Sequence, residues 1–399
     1  MSFMINMDNS NIKQMNICVH DDFCGGCAYQ GMDYEKQLLL KNDEVMRLLK
    51  DKDINFEEYH GIEGSPEIYR YRNKMEYTFG DMVKGGEMTL GMHRKKRFMS
   101  VITVDECQLV DEDFNKILVA TLEFCREKGY LFYNKKSHTG LLRHLIIRKG
   151  VRTNEILVNI VTSSQGNFHG EAYVEHLLNL KFNNNIVGIL NTINDRIADA
   201  VNCDKLNVLQ GRDYYFERIM ELDFKVSAFS FFQTNVAAAE RLYAEAISMI
   251  DDFEDKAVFD LYCGTGTISQ VLAKKAKKVT GIELIEESVI SAKENADRNG
   301  LNNCEFIAGD VFQVMEKLPD KPDIIVLDPP RAGVQPKALE KIIKYEADQI
   351  IYISCNPKTF VENLYYLQYY GYNVEKVKAY DNFAFTKHCE CAASLRRLK

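Results

Sequence analysis

The strongest constraint on the fold is an alternation in the C-terminal part of the chain. AVFDLYC (257–263) reads as a buried strand, Gly264-Thr265-Gly266 as a tight turn, and residues 267–275 as a helix. KVTGIEL (278–284) is a second strand ending near Glu283, with a helix to about Asn299. CEFIAGD (304–310), DIIVLDPP (323–330) and QIIYISC (349–355) supply three more strands with helical segments between them. Short apolar runs separated by helices predict a parallel, doubly wound sheet. Ligands in such sheets bind beyond the carboxyl ends of the strands.

Those ends carry specific chemistry. A glycine turn lets the backbone approach a ligand closely. Glu283 can accept hydrogen bonds from two ribose hydroxyls, and Asp310 can reach an adenine amine. The turn is shorter than G-x-G-x-x-G and no second nucleotide-binding half follows. S-adenosylmethionine, with one ribose, one adenine and no phosphate, fits better than a dinucleotide. The fourth strand ends in Asp328-Pro329-Pro330-Arg331. Arg331 is a fixed cation suited to charge developing on a carbonyl oxygen. The fifth delivers Cys355 to the same edge. A thiolate added at C6 of uracil makes C5 nucleophilic, and the adduct must then lose its C5 proton to a base. His388 and Glu390, in FTKHCECAASLRR (385–397), are candidates, although Glu390 alone reads as a surface carboxylate. The Cys355 thiol is expected below the free value of about 8.5.

With 399 residues, 46% of them hydrophobic, the chain can bury two or three domain cores. It has no apolar run long enough to span a membrane, and MSFMINMDNSNIKQ (1–14) does not read as a leader. A cytoplasmic protein is expected, and its eleven cysteines argue for metal binding or catalysis over a disulfide framework. The net charge of −8 hides two basic stretches. One contains Arg70, Arg72, Lys74, Lys84, Arg94, Lys95, Lys96 and Arg97; the other contains Lys135, Lys136, Arg143, Arg148, Lys149 and Arg152. Aromatic residues lie in or beside both, the combination a polyanion with stackable bases requires. If 70–74 is a strand, Arg70, Arg72 and Lys74 share one face.

FSFFQTN (229–235), DLYCGTGT (260–267), GIEL (281–284), LDPPRAG (327–333), YISCNPKTF (352–360) and HCE (388–390) together resemble the RNA uracil-5-methyltransferase family. RYRNKMEYTFG (70–80) and LLRHLIIRKG (141–150) look like its RNA-binding domain. The resemblance implies an α/β fold: a Rossmann-like S-adenosylmethionine methyltransferase domain behind an N-terminal mixed α/β RNA-binding domain. It implies Cys355 as nucleophile and Glu390 as proton-abstracting base. Gln233, Tyr262, Glu283, Asp328 and Asp310 match positions that contact the methyl donor. Thr267 stands where some members have asparagine.

Cys18, Cys24, Cys27 and Cys107 resemble the iron–sulfur ligand set of the family's ribosomal RNA branch, which implies a [4Fe-4S] cluster and 23S ribosomal RNA as substrate. On residue chemistry alone, four thiolates also suit zinc. Cys125, Cys203, Cys263, Cys304, Cys389 and Cys391 read as packing. Only 17 residues precede Cys18, so the N-terminal β-barrel module of some members is not expected. A monomer is expected, with residues 1–222 as the cluster and RNA-binding domain and 223–399 as the catalytic domain. FKVSAFSFFQTN (224–235) joins them and leads into a helix to about Ile250. Three other readings are a transfer RNA uridine methyltransferase, a cytosine C5-methyltransferase and a non-catalytic iron–sulfur RNA-binding protein. The cluster cysteines argue against the first, Arg331 and the SCNP setting against the second, and intact Cys355 and Glu390 against the third.

Overall fold

The computed structural model describes residues 17–198, 201–251, 253–318 and 321–398; the stretch 1–14 read above for a leader lies outside them. Among the described residues, the first helix is α1 (Tyr34–Asp51) and the first strand β1 (Phe56–Glu63). A mixed region follows: β2 (Lys74–Asp81), β3 (Met88–Arg94), β4 (Arg97–Thr103), α2 (Glu112–Glu127), β5 (Leu142–Gly150), β6 (Glu155–Thr162), α3 (Gly170–Leu178), β7 (Asn185–Ile193) and β8 (Lys205–Gly211). Its strands form a seven-stranded sheet in the order β4-β3-β2-β5-β6-β7-β8. Strands β9 (Tyr214–Ile219) and β10 (Leu222–Ser227) make a hairpin through Met220 and Glu221, both at positive φ. That geometry matches the twist of two strands joined by two residues.

The C-terminal region runs α4 (Val236–Ser248), β11 (Ala257–Leu261), α5 (Thr267–Ala273), β12 (Lys278–Glu283), α6 (Glu286–Arg298), β13 (Cys304–Ala308), α7 (Val311–Met315), β14 (Ile324–Leu327), α8 (Pro336–Ile343), β15 (Gln349–Ser354), α9 (Pro357–Tyr369), β16 (Tyr372–Tyr380) and β17 (Glu390–Arg397). The expected alternation is present. β14 and β15 are buried along their whole length, as strands covered by helices on both faces must be. Helix starts follow local chemistry: the Asn235 side chain accepts from Ala238 N at the head of α4, and Asn356 with Pro357 begins α9.

The sheet has eight strands, ordered β1-β16-β17-β15-β14-β11-β12-β13. β11 to β15 are mutually parallel as expected, but β17 runs antiparallel between β15 and β16. It returns directly from β16 through the loop 381–389, and a direct return makes an antiparallel pair. β1 completes the edge, parallel to β16, so a strand distant in sequence is built onto the same sheet as the candidate site, with Val45 and Leu49 of α1 in a core with its residues. One apolar core holds Leu157 and Leu190 of the seven-stranded sheet together with Phe224, Leu242, Val258 and Ile351. No helix among the described residues is long and apolar enough to cross a membrane.

Two expectations about the basic stretches are corrected. Residues 70–73 are not strand: Arg70 has φ +55, and β2 starts at Lys74. The three cations therefore do not form one strand face. Arg70 pairs with Glu112 and Lys74 with Glu76. Arg143 and Arg148 are buried, and both spend their donors on backbone carbonyls. Arg143 donates to Asn194, Arg196 and Ala198; Arg148 donates to Ser227, Ala228 and Ser230. A guanidinium has five donors in a fixed fork, so it can pin a loop whose carbonyls converge. Arg148 thereby fixes the segment leading to Gln233.

Candidate active site

The turn after β11 is shaped by three residues in the left-handed region, Tyr262, Gly264 and Gly266. Gly266 sits at φ +77, and a Cβ there would lie 2.6 Å from the Phe306 ring, so only glycine fits. Tyr262 sits at φ +68 despite its side chain. Its N–H and that of Cys263 donate to the Ile282 carbonyl of β12, which holds the strained turn in place. Burial pushes the Tyr262 phenol up to about 12, helped by the nearby charges of Asp310 and Glu283. Glu283 ends β12, and its carboxylate accepts from Gly264 N at 3.1 Å and Ile285 N at 3.0 Å. Each oxygen keeps a lone pair for a ligand hydroxyl. Asp310 is exposed after β13, and its side chain accepts from Gln313 N at the start of α7.

A second neighbourhood lies beyond β14, β15 and β17. Gln233 donates from Nε2 to the Tyr243 hydroxyl at 2.9 Å, and its carbonyl accepts from Asn73 Nδ2. Tyr243 in turn lies in the field of Asp328 and Glu390. Asp328 follows β14, and burial alone pushes its carboxyl up to about 7. Ser354 of β15 pairs with Cys391 of β17, so the antiparallel register carries Cys355 and Glu390 to adjoining positions at the strand ends. Burial pushes Glu390 up to about 8; Asp328 adds to the shift and Arg331 opposes it.

Cys355 does not have the depressed pKa expected of it. Burial, then Glu390 and Asp328, push its thiol up to about 11, and Arg331 only partly offsets them. Arg331 is exposed, with its Nη2 3.3 Å from His388 Nδ1. Desolvation, Arg331, Lys41 and Arg72 lower the pKa of His388. Sequence reasoning passed over two groups. Asp260 of β11 is fully buried, bonded to Ser269, and pushed up to about 7 by burial. It lies in the quoted DLYCGTGT, where a carboxylate inside an apolar strand was the signal to read. Tyr243 carried none beyond its place in a helix.

Cys18, Cys24, Cys27 and Cys107 all line one cavity of about 390 Å³, together with Arg72, Lys74, Thr234 and His388. Backbone links fix these cysteines: Gly25 N donates to His93 O, and the Asn115 amide brackets the backbone of Cys107. N–H groups also point at sulfur, from Gly26 to Cys24 and from Leu109 and Val110 to Cys107. No three His, Cys, Asp or Glu side chains among the described residues are grouped so as to hold a single ion. A tetrahedral zinc would need its sulfurs about 3.8 Å apart, given bonds of about 2.3 Å.

Known proteins resemble this chain along nearly its whole length. The family described as tRNA (Uracil-5-)-methyltransferase matches residues 33–398. A Clostridium tetani protein named as an RNA methyltransferase is 54% identical over 374 residues, covering 94% of this chain and 82% of its own. One so named from Caldanaerobacter subterraneus subsp. tengcongensis is 50% identical over 391 residues, covering 98% and 87%. Among solved structures, the Pyrococcus abyssi tRNA (uracil-54, C5)-methyltransferase in complex with S-adenosyl-L-homocysteine superposes with a TM-score of 0.77 at 27% identity, covering 93% of this chain and 84% of that one. The strand-end site and these likenesses converge: the chain belongs to the tRNA (uracil-5-)-methyltransferase family, S-adenosylmethionine-dependent enzymes that act on RNA.

Proposed function

We propose that the protein methylates C5 of a uridine in 23S ribosomal RNA through a covalent bond between Cys355 and C6. The observation that carries this reading is the β15–β17 register, which brings a thiol and a buried carboxyl to one strand edge beside Asp328. Bound S-adenosylmethionine supplies an electrophilic methyl group on a sulfonium cation. Gln233, Tyr262, Glu283, Asp328 and Asp310 are the residues that would hold it. The Cys355 thiol, whose ionised form Arg331 favours, gives up its proton to water; the thiolate adds to C6, and the C5–C6 π electrons move toward O4, where the Arg331 guanidinium stabilises the enolate. C5 then takes the methyl group as the S–CH3 bond breaks, its electron pair staying on the donor sulfur, which leaves as a neutral thioether. Glu390 removes the C5 proton, the freed pair restores the C5–C6 double bond, and the thiolate leaves. A buried carboxylate is a stronger base than a surface one once ionised, which suits Glu390 to this step.

The four cysteines are read as ligands of a [4Fe-4S] cluster, supported by their common cavity and by the N–H groups directed at sulfur. Arg72 and Lys74 would offset the negative charge that four thiolates bring. The 1–222 and 223–399 division is retained for the chain, with α1 and β1 reaching across to the catalytic sheet; a monomer suffices for the proposed chemistry. The iron–sulfur reading favours ribosomal RNA. The transfer RNA substrate of the Pyrococcus abyssi neighbour favours a second reading, methylation of transfer RNA. Labelled methyl donor, separated 23S and transfer RNA, and nucleoside analysis distinguish them. The expected product is 5-methyluridine in the 23S fraction. Label in transfer RNA alone supports the second reading, and 5-methylcytidine or no label overturns both.

A further inference from the structure

The loop 381–389 closes the hairpin between β16 and β17, and its base is the Tyr380–Glu390 pair. Its shape therefore bears on how the proposed base is presented, within the register that β15 and β16 set. Several of its backbone bonds run to distant parts of the chain, alongside local ones from Thr386 N to the Phe383 carbonyl and from His388 N to Thr386 Oγ1. The Asn382 carbonyl accepts from Asn235 Nδ2, the Ala384 carbonyl from the Tyr71 hydroxyl, and the Phe385 carbonyl from Ala28 N and Tyr29 N. Phe385, held at φ +65, donates its own N–H to Gln37 Oε1 at 2.9 Å. Lys41 Nζ bonds Asp381 Oδ1 at 2.6 Å and the Phe383 carbonyl at 3.2 Å, and Asp381 Oδ1 also accepts from Phe383 N. The Lys41 and Asp381 side chains are 1% and 0% exposed.

Helix α1 makes this arrangement unusual. Its buried stripe is Gln37, Lys41, Val45 and Leu49. Val45 and Leu49 join the apolar core, while the first two positions carry an amide and an ammonium aimed at one loop. Burial alone does not call for them: apolar residues of similar size would bury the same helix with less desolvation cost. What a buried ion pair adds is a specified geometry. We propose that Lys41 and Asp381 are positioning residues for Glu390, and that α1 serves to set the loop that delivers the base. The inference rests on the reading of Glu390 as the base.

The test uses the full-length protein. Lys41→Met and Asp381→Asn should leave S-adenosylmethionine binding unchanged but slow turnover by about ten- to a hundred-fold, the size of effect expected when a reacting group is displaced by about 1 Å. Both should accumulate methylated RNA covalently attached to protein, because elimination and not addition is impaired. The double variant Lys41→Met/Asp381→Leu removes both charges, so it should regain thermal stability yet still trap the adduct. It is also the variant to use should a single change fail to fold. Normal turnover in the double variant would make the pair merely structural and overturn the proposal, as would equal loss of donor binding and turnover without an adduct. Glu390→Gln, run alongside, separates the two ideas. If it traps the adduct and the Lys41 and Asp381 variants do not, only the positioning role falls; if it turns over without an adduct, the base assignment falls and this inference with it.

Discussion

At the scale of single residues, the site holds more protons than a nucleophile and a base would suggest. Cys355 is pushed up to about 11 and Glu390 up to about 8, chiefly by burial. A base that must be ionised to act gains activity as pH rises through its pKa, so turnover limited by elimination should increase through about pH 8. A flat profile across that range, measured with saturating RNA and donor, would place the limiting step elsewhere. The two residues should also separate by variant. Cys355→Ala should abolish methylation and give no adduct. Glu390→Gln keeps the shape but loses the base, so it should leave methylated RNA attached to protein as a slow band on a denaturing gel. His388 becomes the next base to test if Glu390→Gln turns over freely.

At the scale of elements, the β3–β4 hairpin carries part of the exposed basic stretch. Lys96, Arg97 and Phe98 are exposed at its tip, with Phe98 64% exposed and stacked on His93. Lys96→Glu with Arg97→Glu should weaken RNA binding, and the slope of log K against log salt should shrink by about one for each phosphate that is no longer neutralised. Unchanged affinity and slope would assign RNA binding to another surface. Arg143 and Arg148 are expected to act differently. Their donors pin loops, so Arg148→Ala should disturb donor binding through the segment before Gln233 more than it alters the salt slope. The cysteine segment belongs to the same scale, since it joins the loop after Cys27 to Phe385. Protein purified without oxygen should contain about four iron and four sulfide per chain. Cys107→Ser should lower both, and stoichiometric zinc with no iron would overturn the cluster.

At the scale of the whole molecule, three carboxyls, Asp260 and Glu390 buried and Asp328 half-buried, tie stability to pH. Asp260 and Asp328 are raised to about 7 and Glu390 to about 8, from ordinary values of 3.8, 3.8 and 4.5. The folded state thus keeps protons that the unfolded state releases. Their contribution to stability is fully present below about pH 4 and is lost as pH rises to about 8. The thermal midpoint should fall over that window, and Asp328→Asn should flatten the decline. A midpoint that climbs from pH 5 to pH 8 by about the same amount in wild type and variant would contradict this assignment.

Local pattern was enough for much of the catalytic half. Apolar runs, glycine turns and proline-led helix starts act within a few residues, so the alternation and the places of Glu283, Asp328 and Cys355 at strand ends were legible in the sequence. Glu390 was singled out through its motif, before an apolar run, and the structure makes it the first residue of β17. Partner choice between strands is set by contacts distant in sequence, which is why neither the antiparallel insertion of β17 nor the capture of β1 could be read. Burial is likewise a property of the packed whole. It turned Arg143 and Arg148 from a polyanion-facing surface into loop clamps, and it raised the Cys355 thiol where an active-site motif alone suggested a lowered one. The amino-acid sequence by itself determined which groups are present and the order of the strand ends that bear them. Only the tertiary structure decided which groups meet and which protons they hold, because both depend on how much water the packed chain excludes.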